Sequence, residues 1–138
     1  MIHRIIKFRG KDLFDNWQYG SLLLENRVSD ETCDVRDIIT LDGKRHPCKN
    51  IGQFTGLYDI NNKEIFEGDI ICSYDSKQEP IIHRVEYDND EAAFVVVLNG
   101  SKKGNFGYGR FNKEWINECE KIVIGNIYDN PEIISSNY

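Results

Sequence analysis

The stretch KKGNFGYGRFNK, residues 102–113, combines cationic and aromatic side chains in a glycine-rich segment. Lysine and arginine attract phosphates, bases stack on aromatic rings, and glycine lets the backbone approach a ligand closely. The stretch is therefore typical of a loop that binds single-stranded nucleic acid, and the candidate residues are Lys102, Lys103, Phe106, Tyr108 and Arg110. The alternative is a hairpin connection whose aromatic side chains fold back onto the core.

A second candidate surface comes from two similar blocks, GQFTGLYD at 52–59 and GNIYDNPE at 125–132. Tyrosine and phenylalanine beside polar turn residues are typical of protein contacts. Phe54, Tyr58, Ile127 and Tyr128 are therefore candidates for a protein-binding or homo-oligomer surface. Anchoring of the two turns is an equally good explanation of the same residues.

No pattern in the sequence predicts catalysis. The nucleophile elbow, the phosphate-binding loop and the zinc-protease helix motif are all missing. Glu67 and Asp69 flank a glycine, where a carboxylate more often accepts backbone N–H bonds from a turn than acts as an acid or base. The histidines, His3, His46 and His83, are isolated from one another. We therefore predict a protein that is not an enzyme, with no catalytic residues.

Cysteine spacing gives no indication of a metal or a cofactor. Cys33, Cys48, Cys72 and Cys119 are scattered and form no Cys-x-x-Cys pair, so reduced and mostly buried thiols are expected. No metal site and no cofactor is predicted.

The charge distribution is uneven. The chain of 138 residues has a net charge of −6, but residues 1–11 carry +4, so −10 falls on the rest. An acidic body argues against a general phosphate-binding surface. The longest apolar run, AAFVVVL at 92–98, is too short to span a membrane, and no secretory signal opens the chain. We expect a cytoplasmic protein without membrane contact.

The elements that must position these residues are mostly short strands. Alternating apolar residues and turn signals predict strands at 2–8, 17–25, 33–40, 64–66, 69–74, 81–88, 92–99 and 121–129. Gly52 and Gly56 predict an ordered loop over 51–59, and Gly68 predicts a sharp bend. Asn112 and Asn130 are predicted helix caps. Many short antiparallel strands with little helix indicate a mainly β barrel or sandwich.

Several blocks together resemble the YopX family of phage and prophage proteins. They are IKFRGKD at 6–12, YGSLL at 19–23 after Trp17, the long central block IGQFTGLYDINNKEIFEGDII at 51–71, and IVIGNIYDNPEII at 122–134. The resemblance implies one β-rich domain with N-terminal strands over 1–50 and a small SH3-like barrel over 51–138. It also implies a protein of a phage or of an integrated element in a bacterium. We predict an accessory module that binds an unknown phage or host protein, with self-association as an option and a nucleic-acid-binding barrel as the alternative. The family supplies no catalytic residues to transfer.

Overall fold

The protein is described from a computed structural model, which covers residues 3–24, 34–100 and 108–134. The chain forms two compact units, Met1–Phe54 and Thr55–Tyr138. The strands are β1 Phe8–Lys11, β2 Trp17–Leu22, β3 Arg36–Ile39, β4 Arg45–Tyr58, β5 Glu64–Phe66, β6 Asp69–Tyr74, β7 Pro80–Asp88, β8 Ala93–Leu98, β9 Tyr108–Arg110 and β10 Ile122–Asn126. A short helix, α1 Lys113–Asn117, and a one-turn 3-10 helix, Pro131–Ile133, complete the elements.

Strand pairing in the first unit closes on itself. β1 pairs with both β2 and β4, and β3 pairs with β2 and β4, all antiparallel. Close packing within this ring depends on glycine: a Cβ on Gly20 would lie 2.0 Å from the Ile39 carbonyl oxygen, and one on Gly10 would lie 2.6 Å from Cys48 Cβ. Ile38 and Cys48 are among the buried apolar side chains of this unit.

The second unit is built on a five-stranded antiparallel sheet in the order β10-β6-β7-β8-β9. Alternation along the strands places one face of this sheet against a core. The core consists of buried side chains from the sheet, from β5 and from α1, namely Ile65, Ile71, Val85, Val96, Phe111 and Ile116. The end of β4 joins this unit by pairing with β5, and Thr55 Oγ1 donates a hydrogen bond to the Ile65 carbonyl oxygen at 2.7 Å.

Four hairpin turns share one backbone design. In each, the N–H of the first residue donates to the carbonyl of the fifth, and the N–H of the fourth donates back to the carbonyl of the first, at 2.8 to 3.1 Å. The fourth residue has a positive φ, between 63° and 83°. The turns are 12–16, 40–44, 59–63 and 75–79. Three of them begin with aspartate, whose side chain can accept the orphan N–H groups of the turn.

Of the two predicted helix caps, the one at Asn112 is found and the one at Asn130 is not made by the side chain. Asn112 Oδ1 accepts a hydrogen bond from the Trp115 N–H at 2.9 Å, which satisfies a free donor at the start of α1. Pro131 is at the start of the 3-10 helix and Asn130 precedes it, although the Asn130 side chain instead accepts from the Asn126 N–H at 3.2 Å.

The predicted class, mainly β with antiparallel strands and one or two short helices, is confirmed. Several details differ. The first strand begins at Phe8 and not at residue 2, and 51–58 belongs to the 14-residue strand β4 and not to a loop. The short strand β9 was not predicted. Strand pairing closes into a ring in the first unit, whereas the described strands of the second sheet form an open sheet. An SH3-like barrel over 51–138 is therefore not confirmed.

Within the described part of the chain, the structure contains no helix that is both long enough and apolar enough to span a membrane.

Candidate macromolecule-binding surfaces

The candidate nucleic-acid residues fall mostly outside the described part of the chain. Lys102, Lys103 and Phe106 are not among the described residues, and only the backbone of Tyr108 is, in β9 opposite Val97. Arg110 ends β9 with an exposed side chain. It lines a depression of about 690 Å³ whose other lining residues are Glu91, Ala93, Phe94, Val95, Phe111 and Asn112.

One aromatic residue of the same stretch has a structural role. Phe111 is 9% exposed and belongs to the core of the second unit, where its ring makes an edge contact with Trp115 at 6.0 Å between centroids. The alternative expectation, that aromatic side chains fold back onto the core, therefore holds for Phe111.

The basic residues near the N-terminus lie on aromatic rings. Lys7 Nζ lies 5.4 Å from the centroid of the Phe54 ring, and the Arg9 guanidinium and Lys11 Nζ lie 4.7 and 5.5 Å from the centroid of Trp17. Such contacts stabilise a cation by the ring quadrupole. Arg9 is 6% exposed, so its charge does not belong to an open basic patch. The only sequence signal for this role of Trp17 was its position in the neighbouring strand.

The central block 55–71 contains two buried aspartates that organise the backbone. Asp59 is 5% exposed, and its Oδ1 accepts the N–H groups of Asn61 and Lys63 at 2.8 and 2.9 Å. Its Oδ2 accepts the N–H of Val123 in β10 at 2.9 Å. Ile60 N–H also donates to the Lys121 carbonyl at 3.1 Å. One carboxylate therefore holds both its own turn and a strand that is 64 residues away in the sequence.

Asp69 has the structural role that the sequence predicted for it. It is 2% exposed, and its Oδ2 accepts the Phe66 N–H at 2.7 Å across the bend. Gly68 has a φ of 93°, a conformation that favours glycine. Its N–H donates to the Val85 carbonyl, and its own carbonyl accepts the Ile127 N–H, each at 2.9 Å. This bend is what brings the segment Ile127–Tyr128 against β7.

A depression of about 220 Å³ lies beside the Gly68 bend. Its lining residues are Glu67, Gly68, Arg84, Val85, Glu86, Tyr87, Ile127 and Tyr128. Arg84 is buried, and its Nε donates to Glu86 Oε2 at 2.5 Å, so the two charges of this pair offset each other. Tyr87 and Tyr128 are 36% and 38% exposed, and the Tyr87 ring also packs edge-on against Phe94 at 5.2 Å. We call this depression with its two tyrosines the tyrosine depression.

The four predicted protein-contact residues are not all together. Ile127 and Tyr128 both line the tyrosine depression, whereas Tyr58 is 42% exposed at the end of β4 and does not line it. Phe54 belongs to the first unit, is 2% exposed and lies under Lys7. Sequence reasoning missed Arg84, Glu86 and Tyr87. Opposite charges two residues apart on one strand face were the available signal.

Comparison with known proteins decides the family. The family model described as YopX protein matches residues 7–135. The chain belongs to the YopX family. Among curated proteins, none matches the sequence significantly.

A solved structure similar to this YopX-family chain is the crystal structure of protein EF1440 from Enterococcus faecalis. The two superpose with a TM-score of 0.59 and share 23% sequence identity, over 96% of this chain and 100% of the other. At that identity the likeness establishes a shared fold.

His83 in β7 lies in a partly buried cluster with Trp115 and Lys121. Its ring meets Trp115 edge-on at 5.0 Å, and Lys121 Nζ lies 4.6 Å from the Trp115 centroid. Burial, together with the nearby Lys121 charge, lowers the pKa of His83 to about 4. Its Nδ1 is buried, and no described atom forms a hydrogen bond with it. The imidazole is therefore neutral at pH 7.

The cysteines of the described segments have free thiols. Cys48 and Cys72 are buried and Cys119 is exposed, while Cys33 lies outside the described residues. Burial, with the nearby charge of Asp12, raises the pKa of the Cys48 thiol to about 11. Nowhere in 3–24, 34–100 or 108–134 do three or more metal-ligating side chains come together.

Proposed function

We propose that this chain is a non-enzymatic phage or prophage accessory protein that binds a phage or host protein in the cytoplasm of a bacterium. The observation that carries the proposal is the tyrosine depression. Two partly exposed tyrosines flank it above the paired charges of Arg84 and Glu86. Tyrosine and arginine are enriched at protein interfaces and carry much of the binding energy there.

The size and charge of the depression favour a protein over other ligands. Its volume of about 220 Å³ is below the roughly 300–1,000 Å³ of most small-molecule sites. Arg84 is paired with Glu86, and Glu67 adds an acid to the lining, so a nucleic-acid phosphate gains little there. A single side chain of a partner, seated between two tyrosine rings, matches both the volume and the amphipathic lining.

The test is affinity capture from a bacterial lysate that has been treated with nuclease, using the parent chain, Tyr128→Ala and Tyr74→Ala. Tyr74 is the matched control because it is 52% exposed at the end of β6 and does not line the depression. We expect a protein that is retained by the parent and the control and lost by at least 10-fold with Tyr128→Ala. Retention by Tyr128→Ala equal to that of the parent would refute the assignment of this surface.

Nucleic-acid binding is a second candidate, supported by Arg110. This cation is exposed on edge strand β9, beside a depression lined by Phe94 and Phe111. Binding through this region predicts an affinity for single-stranded oligonucleotides that falls steeply with salt and is reduced by Arg110→Ala and Lys103→Ala. Lys77→Ala, in the turn 75–79, is the control, and equal binding by all variants would remove this candidate.

A further inference from the structure

The turn 12–16 differs from its three equivalents in what it presents to solvent. At the second and third positions the other turns place at least one polar side chain, as Leu41-Asp42, Ile60-Asn61 and Ser76-Lys77. The turn 12–16 has Leu13 and Phe14 there, which are 76% and 83% exposed. Because the four backbones are equivalent, the turn geometry does not require large apolar residues at this tip.

The same turn is held rigidly. Asp12 Oδ1 accepts the N–H groups of Phe14 and Asn16 at 2.8 and 3.0 Å, and its Oδ2 accepts from Gln18 Nε2 at 2.9 Å. Lys11 Nζ lies 3.6 Å from Asp15 Oδ1 on the other side of the turn. Leu13 and Phe14 are therefore exposed on a preorganised tip, and little backbone entropy would be lost when they are buried against a partner.

A second apolar tip lies at the same end of the sheet. β1 and β3 are both antiparallel to β2, so the turns that follow them, 12–16 and 40–44, leave the sheet in the same direction. Leu41 in the second turn is fully exposed. His46, in β4, lies beside the second turn, because its Nε2 is 3.5 Å from Thr40 Oγ1. We call Leu13, Phe14 and Leu41 the apolar tip.

Charges around the apolar tip point to a specific occupant. Asp15 and Lys44 have strongly exposed side chains, 86% and 74%, and each has a neighbour of opposite sign, Lys11 and Asp42. Two copies of a chain with a net charge of −6 repel each other unless they meet where the charge is balanced. A rim with both signs around an apolar centre is self-complementary across a two-fold axis, since each carboxylate can face a lysine of the other copy.

We propose that the apolar tip is a self-association surface that binds the same surface on a second copy of this chain. It shares no residue with the tyrosine depression and does not depend on the function proposed there. Two turns per copy bury less than the roughly 800 Å² per partner of a standard stable interface. The dimer is therefore weak and reversible, with a Kd of roughly 10–500 µM.

Sedimentation velocity of the purified full chain, from about 5 µM to about 1 mM, tests the proposal. The decisive variant is Leu13→Ser with Phe14→Lys, which installs the Ser76-Lys77 tip of an equivalent turn and leaves Asp12 and Asp15 in place. We expect the parent to dimerise as its concentration rises, and the double variant to associate about 100-fold more weakly because two large apolar side chains no longer leave water.

Leu24→Ser is the matched control. Leu24 is 84% exposed but follows β2 at the opposite end of the sheet, so the control should dimerise like the parent. Leu41→Ser is a second test variant that leaves the turn 12–16 untouched, and we expect it to weaken the dimer. Monomer at all concentrations, a dimer that persists in both tip variants, or equal loss with Leu24→Ser would each overturn the proposal.

Discussion

Replacing Asp59 by asparagine should separate the two roles of its carboxylate, which holds its own turn and also binds the Val123 N–H in β10. Asparagine keeps one oxygen, which can still accept the N–H groups of Asn61 and Lys63. The second oxygen becomes an NH₂ group facing the Val123 N–H, so two donors meet where a bond of 2.9 Å existed. A hydrogen bond to a charged group contributes about 1.5–3 kcal/mol, and the site is only 5% exposed, so we expect a loss of about 2–3 kcal/mol in unfolding free energy.

Asp75 provides the control because it forms the same turn without the distant bond. Its Oδ1 accepts the N–H groups of Lys77 and Glu79 at 2.8 and 2.9 Å. Asparagine can reproduce both bonds while its NH₂ group turns to water, so Asp75→Asn should cost no more than about 0.5 kcal/mol.

The assay is urea unfolding followed by tryptophan fluorescence in a Trp17→Phe background. The chain has two tryptophans, and Trp115 is the one in the second unit, so the remaining signal reports on that unit alone. With a slope of about 2 kcal/mol per molar urea, Asp59→Asn should lower the midpoint by about 1 M. Midpoints shifted equally by Asp59→Asn and Asp75→Asn would show that the bond to β10 contributes nothing, which would refute the reasoning.

Three further predictions concern titration, packing and thiol reactivity. The pKa of His83 is about 4 in the folded chain and 6.5 in its ordinary state, so the unfolded chain binds the proton more readily. The contribution of His83 to the unfolding free energy is therefore complete above pH 6.5. It falls by about 1–2 kcal/mol towards pH 4, a figure discounted for the partial exposure of the ring. His83→Phe should abolish this part of the pH dependence in the same urea assay, and an unchanged difference between pH 7 and pH 4.5 would contradict it. Gly20→Ala should destabilise the first unit by more than about 3 kcal/mol, because the new Cβ would overlap the Ile39 carbonyl. Gly43→Ala is the control: it has open space around it and should lower the unfolding free energy by about 1 kcal/mol. Thermal unfolding measures both changes. Cys119 should react with a thiol reagent at pH 8 within seconds to minutes while Cys48 stays unreactive until the chain unfolds, and rapid labelling of both would contradict the burial of Cys48.

Local patterns predicted much of this fold. Alternation over 81–88 and 92–99 predicted the hairpin of β7 and β8, and turn chemistry predicted the bend at Gly68 and the role of Asp69. These predictions worked because the signal lies within a few residues of the feature.

Features that depend on distant partners were not predictable in the same way. Gly52 and Gly56 favoured a loop, yet β4 passes through both, because Gly52 pairs with Arg9 of β1 and Gly56 has a φ of 86° within the strand. The bond from Val123 to Asp59 joins residues 64 positions apart, and a single sequence does not display such a tertiary contact. Lys102, Lys103 and Phe106 stay a prediction.

The shared hairpin turn has a consequence for how such a chain diverges during evolution. In the three turns that begin with aspartate, the first position supplies a side-chain acceptor and the fourth has a positive φ, while the side chains at the second and third positions are exposed. Selection can therefore exchange those two side chains without compensating changes in the interior. Relatives that keep Asp12, Asp59 and Asp75 but vary the two residues after each would change exposed side chains at three separate sites on one scaffold.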